Sequence, residues 1–205
     1  MDINVQNKEK YLEDLKNWLC EIESAPLEEM GAFFRKRLPD YEARMTKFWG
    51  EDYKQFARAV PQSAKRILDL GCGSGILSIA ALLLGADRAV ACDIDEKCMD
   101  VAYENAALNG VGRDRYTVRW GDVVTDQALR QELGGPYDVV VANIVADVIK
   151  ALASTVRPLV KEGGIFLCSG IIDDRAEEVA QCLRDNGWTI AETRSSEGWF
   201  SYLCR

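Results

Sequence analysis

From about residue 61 onward, short apolar runs rich in Val, Ile, Leu and Ala alternate with longer stretches whose apolar residues recur at helical spacing. A continuous apolar run of about four to eight residues suits a strand buried on both faces, and the amphipathic stretches between such runs supply the helices that bury it. The pattern predicts strands at 66–70, 89–93, 116–120, 137–142, 164–169, 188–194 and 199–204, with helices over 75–84, 96–109, 125–133, 145–160 and 173–186. Asn109-Gly110 and Asn186-Gly187 are stop signals for two of these helices. Such alternation predicts an α/β fold, a mainly parallel sheet with helices on both faces. Between the last two strands, Ser195-Ser-Glu-Gly198 has the composition of a hairpin turn, which makes the last strand antiparallel.

The first 60 residues have a different period. Leu12, Leu15, Trp18, Leu19 and Ile22 recur at helical spacing, as do Met30, Phe33, Phe34, Leu38, Tyr41, Met45, Phe48 and Trp49, with Pro26 and Pro39 as punctuation. The reading is a helical N-terminal extension or lid over 1–60 and a sheet domain over 61–205.

At 205 residues the chain is long enough for one domain with a sizeable core. Its formal charge of -8 argues against a nucleic-acid partner, because sequence-independent affinity for nucleic acid comes from basic residues that neutralise phosphates. Seven cysteines, at 20, 72, 92, 98, 168, 182 and 204, form no Cys-x-x-Cys pair, and there is no histidine. No metal site is therefore expected, and the scattered thiols read as reduced core residues of a cytoplasmic protein. Met1-Asp-Ile-Asn-Val-Gln6 lacks the basic and apolar regions of a signal peptide, and no apolar run reaches membrane length.

Candidate chemistry begins at Arg66-Ile-Leu-Asp-Leu-Gly-Cys-Gly-Ser-Gly75, where a strand runs into a glycine turn and a ligand can lie against bare backbone. The dinucleotide fingerprint is Gly-x-Gly-x-x-Gly, its pyrophosphate received at a helix N-terminus. Here Gly71, Cys72, Gly73 and Gly75 give Gly-x-Gly-x-Gly, preceded by Asp69. An acid suits a cationic ligand and sits badly beside a pyrophosphate. This spacing resembles motif I of the class I S-adenosylmethionine-dependent methyltransferases, whose fold is a Rossmann-like seven-stranded sheet.

Other candidates follow in strand order. Asp93 ends the second strand, 22 residues after Gly71, where a carboxylate can accept both ribose hydroxyls of an adenosine. Ile94 offers the adenine an apolar surface or is simply a link to the next helix, and Asp95 is read as that helix's N-cap. After the third strand, Asp122 and the main-chain N–H of Val123 match the amino group and ring nitrogen of adenine. Asn143 closes Tyr137-Asp-Val-Val-Val-Ala-Asn143, a polar residue at a carboxyl strand end, with helix capping as the alternative role. The residues after it, Ile144, Val145 and Ala146, are not the Pro-Pro-aromatic run of enzymes that methylate planar nitrogens.

Asn143-Ile-Val-Ala-Asp147 resembles the ribosomal large-subunit protein 11 methyltransferases of the PrmA type. So do Asp69 through Ala80, Glu104-Asn-Ala-Ala-Leu-Asn-Gly110, Gly163-Gly164 and Ser169-Gly-Ile-Ile172, a likeness over roughly 64–205. The resemblance implies that Asp69 and the Gly71–Gly75 turn hold the methionine end of S-adenosylmethionine, Asp93 the ribose and Asp122 the adenine. Asn143 then stands where methyl donor and acceptor amine meet, as the candidate catalytic residue, and the product is S-adenosylhomocysteine. Those enzymes methylate amino groups of proteins. The chain departs from them in lacking the Phe-Gly-Thr-Gly-x-His loop and in having a helical pattern where they carry an α+β recognition domain. Three roles stay open: a methyltransferase acting on a protein amine, one acting on a small molecule, or a non-catalytic S-adenosylmethionine-binding module.

Overall fold

In the computed structural model, residues 63–196 and 198–205 are described; the helices expected within 1–60 lie outside them. Seven strands form one sheet: β1 (Arg66–Leu70), β2 (Arg88–Asp93), β3 (Tyr116–Trp120), β4 (Tyr137–Asn143), β5 (Val160–Ile172), β6 (Ile190–Ser196) and β7 (Trp199–Cys204). Their spatial order is β3-β2-β1-β4-β5-β7-β6. β1 to β5 pair in parallel, and β7 is antiparallel to both its neighbours. The expected α/β Rossmann-like sheet with an antiparallel last strand is therefore present.

Five helices connect the strands: α1 (Ile76–Leu83), α2 (Lys97–Leu108), α3 (Gln127–Leu133), α4 (Ala146–Thr155) and α5 (Asp173–Asp185). Successive strand residues alternate between faces, so each strand feeds two layers. Leu68, Val140, Phe166 and Cys168 belong to one apolar cluster with Leu129 of α3, Ile149 and Leu152 of α4, and Val179 and Leu183 of α5. On the other side the buried Ile79 and Leu82 of α1 and Ala102 and Ala106 of α2 face the remaining strand positions. Trp188 closes the first layer, stacked near Phe166 at 5.3 Å and donating its indole N–H to Ala153 O at 2.7 Å.

The sequence boundaries need three corrections. The helix expected over 145–160 stops at Thr155, followed by a 3-10 turn at Arg157–Leu159, because Pro158 has no N–H to continue an α-helical ladder. β5 is far longer than 164–169: Val160 already pairs with Tyr137, the register then shifts, and the strand runs on to Ile172. β6 starts at Ile190 rather than 188 and continues through Ser196, with Gly198 at φ +80° before β7.

β1 has β2 on one side and β4 on the other. In an open α/β sheet this reversal of strand order opens a crevice at the carboxyl ends, and Leu70–Gly75 and Asn143 stand at those ends as the candidate site.

Candidate active site

Four main-chain amides of the glycine turn after β1 are spent on the protein itself. Gly71 and Cys72 donate to Cys92 O at 2.8 and 3.3 Å, Gly73 to Asp93 Oδ2 at 2.8 Å, and Gly75 to Cys72 O at 2.8 Å. Gly71 and Gly75 take φ of +68° and +80°, a region other residues enter at a cost. Close approach forbids side chains there as well: a Cβ on Gly71 would overlap Ile144 Cγ2, and one on Gly75 would lie 2.7 Å from the Tyr116 hydroxyl. Among the described residues a Cβ on Gly73 would meet nothing within 4 Å.

Beneath the turn lies Asp69, 1% exposed. Its Oδ2 accepts the Ser78 main-chain N–H at 3.1 Å and the Ser78 hydroxyl at 2.8 Å, while Oδ1 has no partner among the described residues. Burial pushes the carboxyl up to about 6, against the lowering effect of the two Ser78 bonds. Ser78 is the third residue of α1, so the protein's own carboxylate already occupies the positive N-terminal end of that helix. In dinucleotide sites this end receives a pyrophosphate. Here a pyrophosphate would approach the carboxylates of Asp69 and Asp93 and find the Gly71, Cys72, Gly73 and Gly75 amides committed, whereas a cation would find two carboxylates close by.

Asp93 ends β2 half-buried, its Oδ1 accepting the Asp95 N–H at 2.9 Å and its Oδ2 the Gly73 N–H. Asp95 in turn accepts the N–H of Lys97, first residue of α2, at 3.0 Å; the cap position itself is taken by Glu96 without a side-chain bond, so the N-cap lies one residue later than the expected Asp95. Ile94 is 70% exposed, and Trp120, paired in register with Asp93, donates its indole N–H to Ile94 O at 3.0 Å. The two side chains form a ledge at the ends of β2 and β3. Trp120 was legible as the residue closing β3 but carried no separate signal as part of the site.

Asp122 sits next to this ledge. Its Oδ1 accepts the Val124 N–H at 2.8 Å and its Oδ2 the Thr125 hydroxyl at 2.7 Å; these bonds, Thr125 foremost, hold its carboxyl below the usual range. Asp122 thus stays ionised and fixes its own turn, and each oxygen keeps a second lone pair for an outside donor. Val123 is buried behind it.

Asn143 closes β4 with its side chain exposed. The helix-capping role is not realised: α4 begins three residues later, capped by Val145 without a side-chain bond. Ile144 links the two halves of the site, because it backs Gly71 and donates its N–H to Ser169 O at 3.1 Å. Nothing in the sequence singled out Ser78 or Ile144, and a hydroxyl two residues into a helix has no signature of its own. Asp69, Gly71, Cys72, Gly73, Gly75, Asp93, Ile94, Asp122, Val123 and Asn143 all come from the carboxyl ends of β1 to β4 or the turns that follow them.

The family model described as ribosomal protein L11 methyltransferase (PrmA) matches residues 54–205. A ribosomal protein L11 methyltransferase of Desulforamulus reducens is 40% identical over 150 residues, 73% of this chain and 46% of that protein. One of Desulfitobacterium hafniense is 46% identical over 134 residues, 65% of this chain and 40% of that protein. The crystal structure of a ribosomal protein L11 methylase from Lactobacillus delbrueckii subsp. bulgaricus superimposes with a TM-score of 0.65 at 29% identity, covering 73% of this chain and 75% of that one. The chain spans about half the length of the curated relatives it matches. With three quarters of its residues matched, the chain belongs to the ribosomal protein L11 methyltransferase (PrmA) family.

Proposed function

We infer that this chain binds S-adenosylmethionine in the crevice over β1, β2 and β4 and transfers its methyl group to an amino nitrogen of a protein. The observation that carries the reading is Asp69, buried beneath the glycine turn with one carboxylate oxygen unpartnered among the described residues and the helix N-terminus already taken. A site with that polarity fits a cofactor bearing an ammonium and a sulfonium.

On this reading Asp69 and the Gly71-Cys72-Gly73-Ser74-Gly75 turn hold the methionine end. Asp93 accepts from the ribose while keeping Gly73 in place, and Ile94, Trp120, Asp122 and Val123 enclose the adenine. When bound, S-adenosylmethionine supplies a methyl on an already activated leaving group and departs as S-adenosylhomocysteine. What remains for the protein is alignment and exclusion of water, which can supply several kcal/mol of barrier reduction without an acid or base. Asn143, at the open end of β4, orients the acceptor amine through its amide oxygen. It cannot take a proton, so the amine reaches it neutral, its proton lost to water beforehand.

The names of the relatives supply the acceptor: ribosomal protein L11. The six described cysteines are all unpaired, which supports a reducing compartment, the cytoplasm. Calorimetry with S-adenosylmethionine and with NADH, followed by radiolabel transfer to purified ribosomal protein L11, tests the reading. Binding of S-adenosylmethionine but not of NADH, and a labelled protein band, are expected. Binding of NADH would overturn the cofactor, and an unlabelled L11 band from protein that binds S-adenosylmethionine would overturn the protein acceptor.

A further inference from the structure

The strand register draws a line across the sheet at the level of the site. Residues paired on adjacent strands project from the same face. Trp120 pairs with Asp93 on the donor side. On the other side of the switch point Asn143 pairs with Ser169, Ser169 with Ser201, and Ser201 with Arg194. Two residues back on the same face the corresponding positions of β4, β5 and β7 are Val141, Leu167 and Leu203, all buried. The face thus changes from apolar to polar at the level of Asn143, on strands inside the sheet where apolar residues would otherwise be favoured.

A wall rises beside this polar floor. β5 continues three residues past Ser169, and Gly170, at φ +84°, is an extra residue opposite β7: Ser169 pairs with Ser201 and Ile171 already with Phe200. One inserted residue exchanges the faces of everything beyond it. Ile171 therefore turns into the core, 0% exposed, and Ile172 shares the face of Ser169, paired with Trp199. Ile172 and Trp199 are 44% and 56% exposed, and at about 3.3 Å per residue they stand roughly 7–10 Å beyond Asn143.

Resting on the proposed protein-amine reading, we propose that Ser169, Ser201, Ile172 and Trp199 form the acceptor-positioning surface, which takes a long aliphatic amine of the lysine type. The Trp199 and Ile172 wall covers its methylene stem, and the Ser169 and Ser201 hydroxyls guide its polar head toward Asn143. The row closes outward at Arg194, held by Glu192 at 2.7 Å, so its one cation is paired. The formal charge of -8 favours approach of a basic acceptor. The four are positioning residues; none touches the transferred group.

The test uses the full chain with purified ribosomal protein L11 as acceptor. Ser169→Ala/Ser201→Ala and Trp199→Ala are expected to raise the acceptor KM about tenfold or more, with S-adenosylmethionine Kd within twofold of wild type and with Thr at both serines restoring most of the loss. Unchanged acceptor KM in an active protein overturns the surface and leaves the proposed function standing. If the wild type binds S-adenosylmethionine but does not label L11, the protein-acceptor reading falls, and the surface is judged by the Trp199 indole resonance, assigned by its loss in Trp199→Phe. With the protein saturated with S-adenosylhomocysteine, titration with Nα-acetyl-lysine methylamide should give a saturable shift that weakens in Ser169→Ala/Ser201→Ala; no shift overturns the surface.

Discussion

Ser78 gives both its main-chain N–H and its hydroxyl to one oxygen of Asp69, at 3.1 and 2.8 Å, and leaves the other oxygen of that buried carboxylate without a partner among the described residues. Two bonds do not offset the desolvation, so the carboxyl rises from 3.8 to about 6. A raised folded-state value means the native state holds its proton more tightly than the unfolded chain. The contribution to stability is full below about pH 4 and is lost as pH rises through 6, by about 3 kcal/mol in all. For the ligand-free protein, Asp69→Asn should remove this loss, so that the melting temperature measured near pH 7 exceeds that of the wild type. A lower melting temperature for the variant at pH 7 would mean that the ionised Asp69 is stabilising.

The same carboxylate gives cofactor binding the opposite pH dependence. If the ionised form meets the methionine ammonium, only that form binds well, and the apparent Kd is the intrinsic one divided by the ionised fraction. At pH 5 that fraction is about a tenth for a group titrating near 6, so S-adenosylmethionine should bind about tenfold more weakly than at pH 7. Calorimetry over this range, below the titration of an α-amino group, checks it. A flat profile would detach Asp69 from the ammonium.

Asp93 serves three partners on the present reading, the Gly73 and Asp95 N–H groups and the ribose. Asp93→Ala should therefore cost a charge-assisted acceptor of about 1.5–3 kcal/mol, or about 10- to 150-fold in S-adenosylmethionine affinity. Asp93→Asn keeps one oxygen for Gly73 and should lose less. Wild-type affinity in Asp93→Ala would take this residue out of the cofactor site.

Much of this site could be read from the chain because buried parallel strands leave continuous apolar runs, and the polar residue that ends each run marks the crevice. Val139-Val-Val-Ala142 followed by Asn143 is legible in that way, as is Ala91-Cys-Asp93. The extent of β5 was not legible, because the strand expected over 164–169 lies between Gly163 and Gly170; Gly170 instead forms a bulge within the strand, and Gly164 sits where a Cβ would lie 3.0 Å from Asp138 O. The Asp69–Ser78 bond and the contact of Ile144 with Gly71 were also invisible. They depend on which side chains two different elements bring face to face, and helical or strand period alone does not encode that.

Gly170 gives the sharpest test of Asn143. A Cβ at this position would lie 2.8 Å from Asn143 Oδ1, 2.9 Å from Ile144 O and 3.1 Å from Ile144 N, and the φ of +84° is itself unfavourable for other residues by about 1–2 kcal/mol. Gly170→Ala should lower the melting temperature by about 2–8 °C and push the Asn143 side chain off its position. A misplacement of about 1 Å at a reacting centre can cost about a hundredfold in rate. Turnover should accordingly fall in Gly170→Ala while S-adenosylmethionine Kd, set at the ends of β1, β2 and β3, stays within a few-fold of wild type. Asn143→Ala should show the same split without the stability loss, since its side chain is exposed and caps no helix. If Asn143→Ala turns over at the wild-type rate, orientation of the amine does not pass through its amide, and the effect of Gly170→Ala would then be one of stability alone.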